Sequence, residues 1–434
     1  MKTAVSVFWF RRDLRLDDNI GFFEALKGNH PVLPIFIFDT EILEKLPQND
    51  ARVNFIYKTL QDMRSQLQGE YGSSIAIYHG KPIDIFTSLI EEYDVKEVYT
   101  NHDYEPYARE RDGEIESFLK KQETLFHTYK DQVIFEKDEV VKSDGDPYVV
   151  YTPYMRTWKE KFKTIDLKIY YTNSYLDNLI KHSRLPNVSL SDIGFTTSNQ
   201  KITPYDVTPT LIQEYENTRN FPAEDATSRL GPHLRFGTVS IRKMMKKAIA
   251  EENEIFWQEL IWREFFMQIL WHFPDTHKNA FKSKYDRIPW RNNEEEFEKW
   301  CEGKTGYPLV DAGMRQLNQT GFMHNRVRML VGSFLCKHLL IDWRWGEAYF
   351  AEKLHDYEMA SNVGNWQWVA GSGVDAAPYF RIFNPTSQIK KFDKDYKYIK
   401  KWVPEYQESS YPEPMVDHKS ARERCLKTYK EALA

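Results

Sequence analysis

The stretch AVSVFWF, Ala4 to Phe10, is apolar at every position except Ser6. Comparable runs rich in β-branched or aromatic residues recur at Val32–Phe38, Ile75–Tyr78, Val98–Thr100 and Val133–Phe135. Between them lie the amphipathic stretches Ala51–Leu67, Ile83–Tyr93 and Arg109–Lys121. Strands that are apolar throughout and alternate with helices predict a parallel sheet with helices on both faces. We therefore expect a doubly wound, Rossmann-like α/β domain over residues 1–135.

The predicted sheet lacks the usual dinucleotide fingerprint. Ligands of doubly wound folds bind at the carboxyl ends of the strands, and dinucleotides there rest on a glycine-rich turn. No G-x-G-x-x-G follows any of the strand-like runs. We therefore expect no flavin on this sheet.

The character of the chain changes after the α/β region. Lys142–Pro147 is a turn cluster, and Leu185–Pro209 is rich in Ser, Thr, Asn and Pro, so we expect a connecting linker over 136–209. Apolar residues then recur with a helical period, which predicts an all-α domain over 210–434. The predicted helical segments are Asp225–Ala250, Ile255–Trp271, Leu309–Leu317, Met323–Leu340 and Glu347–Met359.

Composition restricts the class of protein. A chain of 434 residues exceeds the usual size of one hydrophobic core, and a net charge of −5 gives no overall sign of nucleic-acid binding. The three cysteines form no C-x-x-C, and the apolar run at the N-terminus stops at Arg11. Together these features predict a cytoplasmic monomer without a disulfide framework, signal peptide or membrane segment.

Two helical segments carry polar and stackable groups on otherwise apolar faces. Glu259, Trp262 and Arg263 share a face of one predicted helix, and Asn325, Arg328 and Met329 share a face of another. On the first helix alone, an amphipathic helix edged by a salt bridge is the favoured interpretation. The repetition on the second helix indicates a polar pocket in a helical core, since such groups are costly to bury without partners or a ligand.

Two further segments allow a phosphate-binding interpretation. Thr227–Pro232 brings hydroxyls, Arg229 and a glycine to a probable helix start, although a plain N-cap is the commoner cause of this pattern. Thr386–Trp402 interleaves lysines with aromatics, which fits a nucleic-acid surface or an ordinary charged helix. The histidines lack ligand spacing, and we predict no metal site.

Seven motifs, in order along the chain, resemble the photolyase/cryptochrome family, and most closely its class I cyclobutane pyrimidine dimer (CPD) DNA photolyases. They are WFRRDLRLDDN, TSRL, ELIWREF, EGKTGYPLVDAGMRQL, TGFMHNRVRM, NWQW and DAAPYFRIFNP, and the similarity runs from Phe8 to about Trp402. The resemblance implies light-driven repair: reduced FAD in the helical domain, excited by blue light, passes an electron to a dimer flipped out of the DNA.

The resemblance also implies roles for individual residues. Those implied at FAD are Tyr215, Thr227, Ser228, Arg229, Leu230, Gly231, Arg328, Asp356, Tyr357, Glu358 and Asn362, with Arg328 paired to Asp356 and Asn362 facing the flavin ring. Those implied at the dimer are Glu259, Trp262, Asn325, Met329 and Trp368. Those implied along the DNA strand are Arg219, Arg263, Arg326 and Gln388. Trp366, Trp343 and Trp290 match the family's electron-transfer tryptophans, from proximal to distal.

Four positions depart from the family pattern. Gly231 stands where Ser is frequent, and Glu358 stands where Asp is usual, so their contacts with FAD are open. Tyr107 and Ala108 replace the Asn-Glu pair that binds a folate antenna in some members. We therefore expect either no antenna pigment or a second antenna chromophore other than a folate.

Competing interpretations remain. A (6-4) photolyase would carry histidines at positions 325 and 329, which are Asn and Met here. A cryptochrome, a blue-light receptor whose output is a partner contact, is the main alternative. The full set of dimer-contacting residues favours repair of pyrimidine dimers in DNA. Outside the family, a nucleotide-binding α/β protein is disfavoured by the missing glycine-rich turn.

Overall fold

The structure, a computed structural model, describes residues 2–434, which form two compact units. The α/β unit comprises residues 2–136, Thr164–Tyr205 and Arg229–Lys247. The helical unit comprises Lys137–Lys163, Asp206–Ser228 and Ala248–Ala434. The units therefore interleave along the chain, whereas the sequence predicts consecutive domains over 1–135 and 210–434 that are joined by a linker over 136–209.

A five-stranded parallel sheet is the centre of the α/β unit. Its strands are β1 (Ala4–Phe10), β2 (Val32–Asp39), β3 (Ala76–Gly80), β4 (Asp94–Asn101) and β5 (Leu125–Tyr129). They lie in the order β3-β2-β1-β4-β5, with Trp9 opposite Ile35 and Phe8 opposite Tyr99. The order of the strands reverses between β1 and β4, which is where sheets of this kind bind ligands.

The helices are numbered in chain order across both units. Those up to residue 121 are α1 (Ile20–Leu26), α2 (Thr40–Leu43), α3 (Ala51–Tyr71), α4 (Pro82–Glu92) and α5 (Pro106–Lys121). Then follow α6 (Tyr151–Phe162), α7 (Pro209–Thr218), α8 (Gly231–Arg235), α9 (Ile241–Ile249), α10 (Glu254–His272), α11 (Glu294–Glu302), α12 (Pro308–Thr320), α13 (Asn325–Ser333), α14 (Trp343–Lys353), α15 (Met359–Ala370), α16 (Pro385–Phe392), α17 (Lys397–Trp402) and α18 (His418–Leu433). A π-helical turn at Phe334–Leu339 extends α13, and 3-10 turns lie at Thr172–Asn178, Pro274–His277 and Ser283–Arg287.

The alternation of side chains along β1 explains its continuous apolar sequence. Phe8 and Phe10 belong to the core on one face of the sheet, and Val7 and Trp9 belong to the core on the other. Because both faces of the sheet are covered at β1, side chains on either side of this strand meet apolar surroundings. The predicted doubly wound sheet is thus confirmed, and so is the all-helical character of the second unit.

Several predicted elements differ from the structure. Val133–Phe135 is buried but forms no strand, and the fifth strand is Leu125–Tyr129, which is half-exposed at the sheet edge. The predicted helix Asp225–Ala250 is broken into α8 and α9, and the predicted helix Glu347–Met359 ends at Lys353. The latter break leaves a loop at 354–358, which lies in the candidate site.

The predicted linker is more ordered than its composition indicates. Its first part contains α6, which packs against α10 in the helical unit. Its second part contributes Ile193 and Phe195 to the α/β core, and the carbonyl of Pro186 accepts the amide of Ile77. Among the residues described, none of the helices combines the length and the apolar character that a membrane span requires.

Candidate functional site

A cleft of about 600 Å³, including its open mouth, lies among the helices of the helical unit. Its walls come from α13, α14, α15 and the 354–358 loop. The cleft is lined by polar side chains and one thioether that the resemblance implies at FAD or at the dimer. These residues are Asn325, Arg328, Met329, Asp356, Glu358 and Asn362. Aromatic walls are supplied by Phe350, Tyr357, Trp366 and Trp368.

Arg328 and Asp356 form a fixed ion pair at the cleft. The guanidinium donates from Nη1 to Oδ1 at 3.1 Å and from Nη2 to Oδ2 at 2.8 Å. Its Nε donates to the carbonyl oxygen of Met323 at 2.7 Å, so the whole planar group is held. This fork geometry is the strong form of an Arg–carboxylate pair. The pairing implied by the resemblance is present in the structure.

Glu347 orients the amide of Asn362. The Nδ2 group donates to Oε1 of Glu347 at 2.9 Å and to its backbone carbonyl at 3.2 Å. Burial raises the pKa of the Glu347 carboxyl, although the hydrogen bond from Asn362 opposes that shift. Since Nδ2 is occupied, Oδ1 is the acceptor that Asn362 can offer in the cleft. The sequence marks Asn362 by its motif, but no local spacing marks Glu347.

Trp366 is the buried aromatic wall of the cleft. Its ring lies 4.9 Å from that of Phe350 and 6.2 Å from that of Trp300, both edge-on. Gly346 on α14 lies so close that a Cβ there would be 2.2 Å from Cη2 of Trp366. The indole therefore rests directly on the backbone of α14, one turn after Trp343.

The three tryptophans of the predicted electron path differ in exposure. Trp366 and Trp343 are buried, and Trp290 is half-buried beside Tyr429. Only the predicted distal member, Trp290, is more exposed than the other two. Among residues 2–434, however, the ring contacts of Trp366 are with Phe350 and Trp300, and none joins it directly to Trp343. The path stays a prediction.

The predicted dimer-contacting residues fall into two places. Asn325, Met329 and Trp368 line the cleft, whereas Glu259 and Trp262 lie on α10 and are not among its lining residues. Glu259 is ion-paired with Arg219, yet burial raises the pKa of its carboxyl. The ring of Trp262 lies parallel to that of Tyr151.

The three arginines predicted along the DNA strand have protein partners in the structure. Arg326 donates to the side chain of Asn220, and its guanidinium lies 4.5 Å over the ring of Phe392. Arg263 and Glu358 form a buried ion pair, with Nε to Oε2 at 3.0 Å. Glu358, the departure from the usual Asp, therefore holds Arg263. Gln388 lies half-buried on α16.

The predicted phosphate segment is not among the residues that line the cleft. Thr227 and Ser228 belong to the helical unit, and Arg229, Leu230 and Gly231 belong to the α/β unit. Arg229 has a φ of +53°, a left-handed conformation that costs a non-glycine residue energy. Tyr215, on α7, packs edge-on against Phe256. The FAD roles of these six residues stay predictions.

A second cavity opens at the carboxyl end of β2 in the α/β unit. It measures about 600 Å³ including its open mouth. The lining residues are Thr40, Leu43, Glu44, Leu46, Gln48, His79, Ile193, Gly194 and Phe195. Nearby, Tyr107 donates its hydroxyl to Asp39 at 2.6 Å, and Ala108 is buried. The two positions that depart from the folate pattern are thus engaged within the protein itself.

Comparisons with known proteins place these features among photolyases. A family model described as DNA photolyase matches residues 6–170, and one described as the FAD binding domain of DNA photolyase matches residues 256–410. The chain is 35% identical over 479 aligned positions to a deoxyribodipyrimidine photo-lyase of Synechococcus sp., covering 99% of this chain and 97% of the relative.

Solved structures show the same likeness. A bacterial class III photolyase from Agrobacterium tumefaciens superposes with a TM-score of 0.88 at 33% identity, over 100% of this chain and 98% of that one. A photolyase from Sulfolobus tokodaii, solved with two FAD molecules, gives 0.84 at 33% identity, over 98% and 100%. A cryptochrome from Synechocystis gives 0.87 at 25% identity, over 99% of both chains.

Proposed function

Because the chain belongs to the DNA photolyase family, we propose that it repairs cyclobutane pyrimidine dimers in DNA, using light and an FAD held in the cleft of the helical unit. The observation that carries the proposal is that Asn325, Arg328, Met329, Asn362 and Trp366 line one cleft. These residues come from two helices, and the fold converges them on a single space.

The residues of the cleft fit a flavin. Trp366 and Phe350 offer aromatic walls for a ring system, and the Arg328–Asp356 pair offers both signs of charge beside it. Asn362 presents a fixed acceptor oxygen, because Glu347 already takes its Nδ2 group, and such an oxygen matches an N–H donor on a ring. When bound, reduced FAD supplies a light-excited electron that opens the dimer and then returns.

The protein's own part is to hold the lesion and exclude alternatives. Trp262 and Trp368 stack on the extruded bases, and Met329 contacts them through a polarisable thioether. Glu259 and Asn325 hydrogen-bond to the base edges. Once a bound base covers such polar groups they discriminate strongly, because a base that fails to pair with them leaves them unsatisfied.

In this proposal the protein acts as a monomer in the cytoplasm, and its partner is DNA that contains pyrimidine dimers. The class I assignment is a prediction, and the similar Agrobacterium structure is of class III. An antenna chromophore is a further prediction. The cavity beside β2 provides room for a second organic pigment, and the Sulfolobus photolyase was solved with two FAD molecules.

The test compares two lesions in matched oligonucleotides. Holoprotein carrying FAD is illuminated with blue light in the presence of a reductant, and intact strands are quantified by chromatography. We expect CPD to be restored and (6-4) lesions to persist, because Asn325 and Met329 stand where a (6-4) enzyme would carry histidines. Restoration of (6-4) lesions with CPD untouched would refute the lesion assignment, and no restoration of either would favour a cryptochrome.

A further inference from the structure

Tyr151 covers one face of Trp262. Tyr151 is the first residue of α6, and Trp262 lies in the middle of α10. Their ring centroids are 3.5 Å apart and the planes differ by 7°, so the two rings overlap as a full stack. A base cannot use the face of Trp262 that Tyr151 occupies.

Tyr151 is fixed by contacts from more than one direction. Its hydroxyl donates to the carbonyl of Gln258 at 2.9 Å, and its backbone N–H donates to Oδ2 of Asp375 at 3.3 Å. The ring of Phe265 meets it edge-on at 5.8 Å. Gln258 precedes Trp262 by one helical turn, so Tyr151 is tied to the turn of α10 that carries the tryptophan. Only 6% of Tyr151 is exposed.

The inner and outer faces of the indole follow from burial. Trp262 is half-buried while Tyr151 is buried, so the tyrosine lies on the inward side of the stack. The face left for a ligand is therefore the outward one. Phe266, one turn further along α10, lies 5.6 Å from the indole with its ring plane inclined by 27°, and it further restricts rotation of the indole.

We propose that Tyr151 is a positioning residue for lesion binding: it holds the indole of Trp262 so that the outward face meets the extruded base. This inference rests on the proposed function, in which Trp262 stacks on the lesion. The physical basis is preorganisation, since an indole already locked in its rotamer loses less freedom when a base stacks on it. The proposal predicts an effect on damaged DNA that passes through Trp262.

The experiment is a double-mutant cycle on FAD-loaded holoprotein. The affinities of wild type, Tyr151→Leu, Trp262→Ala and the double variant are measured for a CPD-containing oligonucleotide and for the same sequence undamaged. We expect Tyr151→Leu to weaken CPD binding about two- to tenfold, the range of one aromatic pair, and to leave undamaged binding unchanged. In the Trp262→Ala background the same change should cause no further loss.

Tyr151→Phe is the conservative control. It keeps the ring and removes only the hydrogen bond to Gln258, so it should retain most of the wild-type affinity for CPD. FAD content and the melting temperature identify any variant whose fold is damaged. A damaged fold would weaken the binding of both oligonucleotides alike.

The outcomes separate this inference from the function it rests on. If Trp262→Ala weakens CPD binding but Tyr151→Leu does not, or if the two losses add fully, the positioning role fails and the repair assignment stands. Tighter CPD binding by Tyr151→Leu would also overturn it, because Tyr151 would then block the site. If Trp262→Ala itself has no effect, the stacking role of Trp262 fails and the inference fails with it.

Discussion

The substitution Gly346→Ala tests how the cleft holds Trp366. A Cβ at position 346 would lie 2.2 Å from Cη2 and 2.5 Å from Cζ3 of Trp366, and 2.6 Å from Cδ2 of Leu335. Non-bonded carbons rest at about 3.5–4.0 Å, so the indole would have to retreat by about 1 Å or more. Phe350 and Trp300 bracket the ring, so a retreat toward them is opposed.

Two opposing contributions decide the magnitude for stability. Replacing glycine by alanine inside a helix gains about 1 kcal/mol, and overpacking a core costs about 1–3 kcal/mol. We therefore expect a net loss of about 1 kcal/mol in the free energy of unfolding. The effect on function should be larger, because an ångström-scale shift of Trp366 changes a wall of the cleft.

The assay compares Gly346→Ala with Gly332→Ala, a substitution in the same unit and against the same indole. A Cβ at position 332 would lie 3.1 Å from Val369 and 3.5 Å from Cζ3 of Trp366, which small shifts relieve. We expect Gly346→Ala to bind less FAD and to photoreduce oxidised FAD more slowly than Gly332→Ala, which also adds a methyl group at the cleft but displaces Trp366 less. Wild-type stability, FAD content and photoreduction in Gly346→Ala would refute the packing of Trp366 on α14.

Three more predictions follow from the site and core. Trp366→Phe should slow photoreduction of oxidised FAD and spare repair by chemically reduced enzyme. Trp300 is a buried neighbour of Trp366 outside the predicted path, so Trp300→Phe should leave the photoreduction rate unchanged. Equal photoreduction rates in the two variants would remove Trp366 from the path. Trp262→Ala should weaken binding of damaged DNA about tenfold or more, from roughly 1–3 kcal/mol per stacked base, and unchanged affinity in a titration would sink its role. Burial lowers the pKa of His338 to about 3, so only the unfolded state takes up this proton as pH falls below about 6.5. As the pH falls from 7 to 5, the free energy of unfolding of wild type should therefore drop by up to about 1.4 kcal/mol per pH unit more than that of His338→Gln. Denaturant unfolding at pH 7 and 5 measures this difference, and an equal drop in both proteins would contradict it.

The sequence predicted those parts of the fold whose environment is uniform. Strands β1 and β2 are recognisable because apolar residues dominate a strand that is covered on both faces. For β3 and β4 the sequence marks mainly their buried parts, Ala76–Ile77 and Val98–Thr100. Strand β5 carries no continuous apolar run, because it lies at the sheet edge, where its residues are exposed or half-exposed. The sequence predicts a strand at Val133–Phe135 because a buried loop contains the same kind of apolar residues as a buried strand.

Some residues of the candidate site can be predicted from the sequence, and others cannot. Helical spacing alone brought Asn325, Arg328 and Met329 to one face, and the structure places all three at the cleft. Glu347 and Tyr151 were not predicted, because their partners Asn362 and Trp262 meet them only through tertiary packing. No local period records such contacts, and a glutamate or tyrosine in a helix has commoner structural roles.

Reconstitution with FAD tests whether a flavin in the helical cleft drives dimer repair. Apoprotein is prepared by removing bound flavin, then titrated with FAD, and each sample is reduced and given blue light or darkness with a CPD oligonucleotide. Restored DNA should rise in proportion to bound FAD and only in the light. Intact dimers in illuminated protein that is saturated with FAD would contradict it.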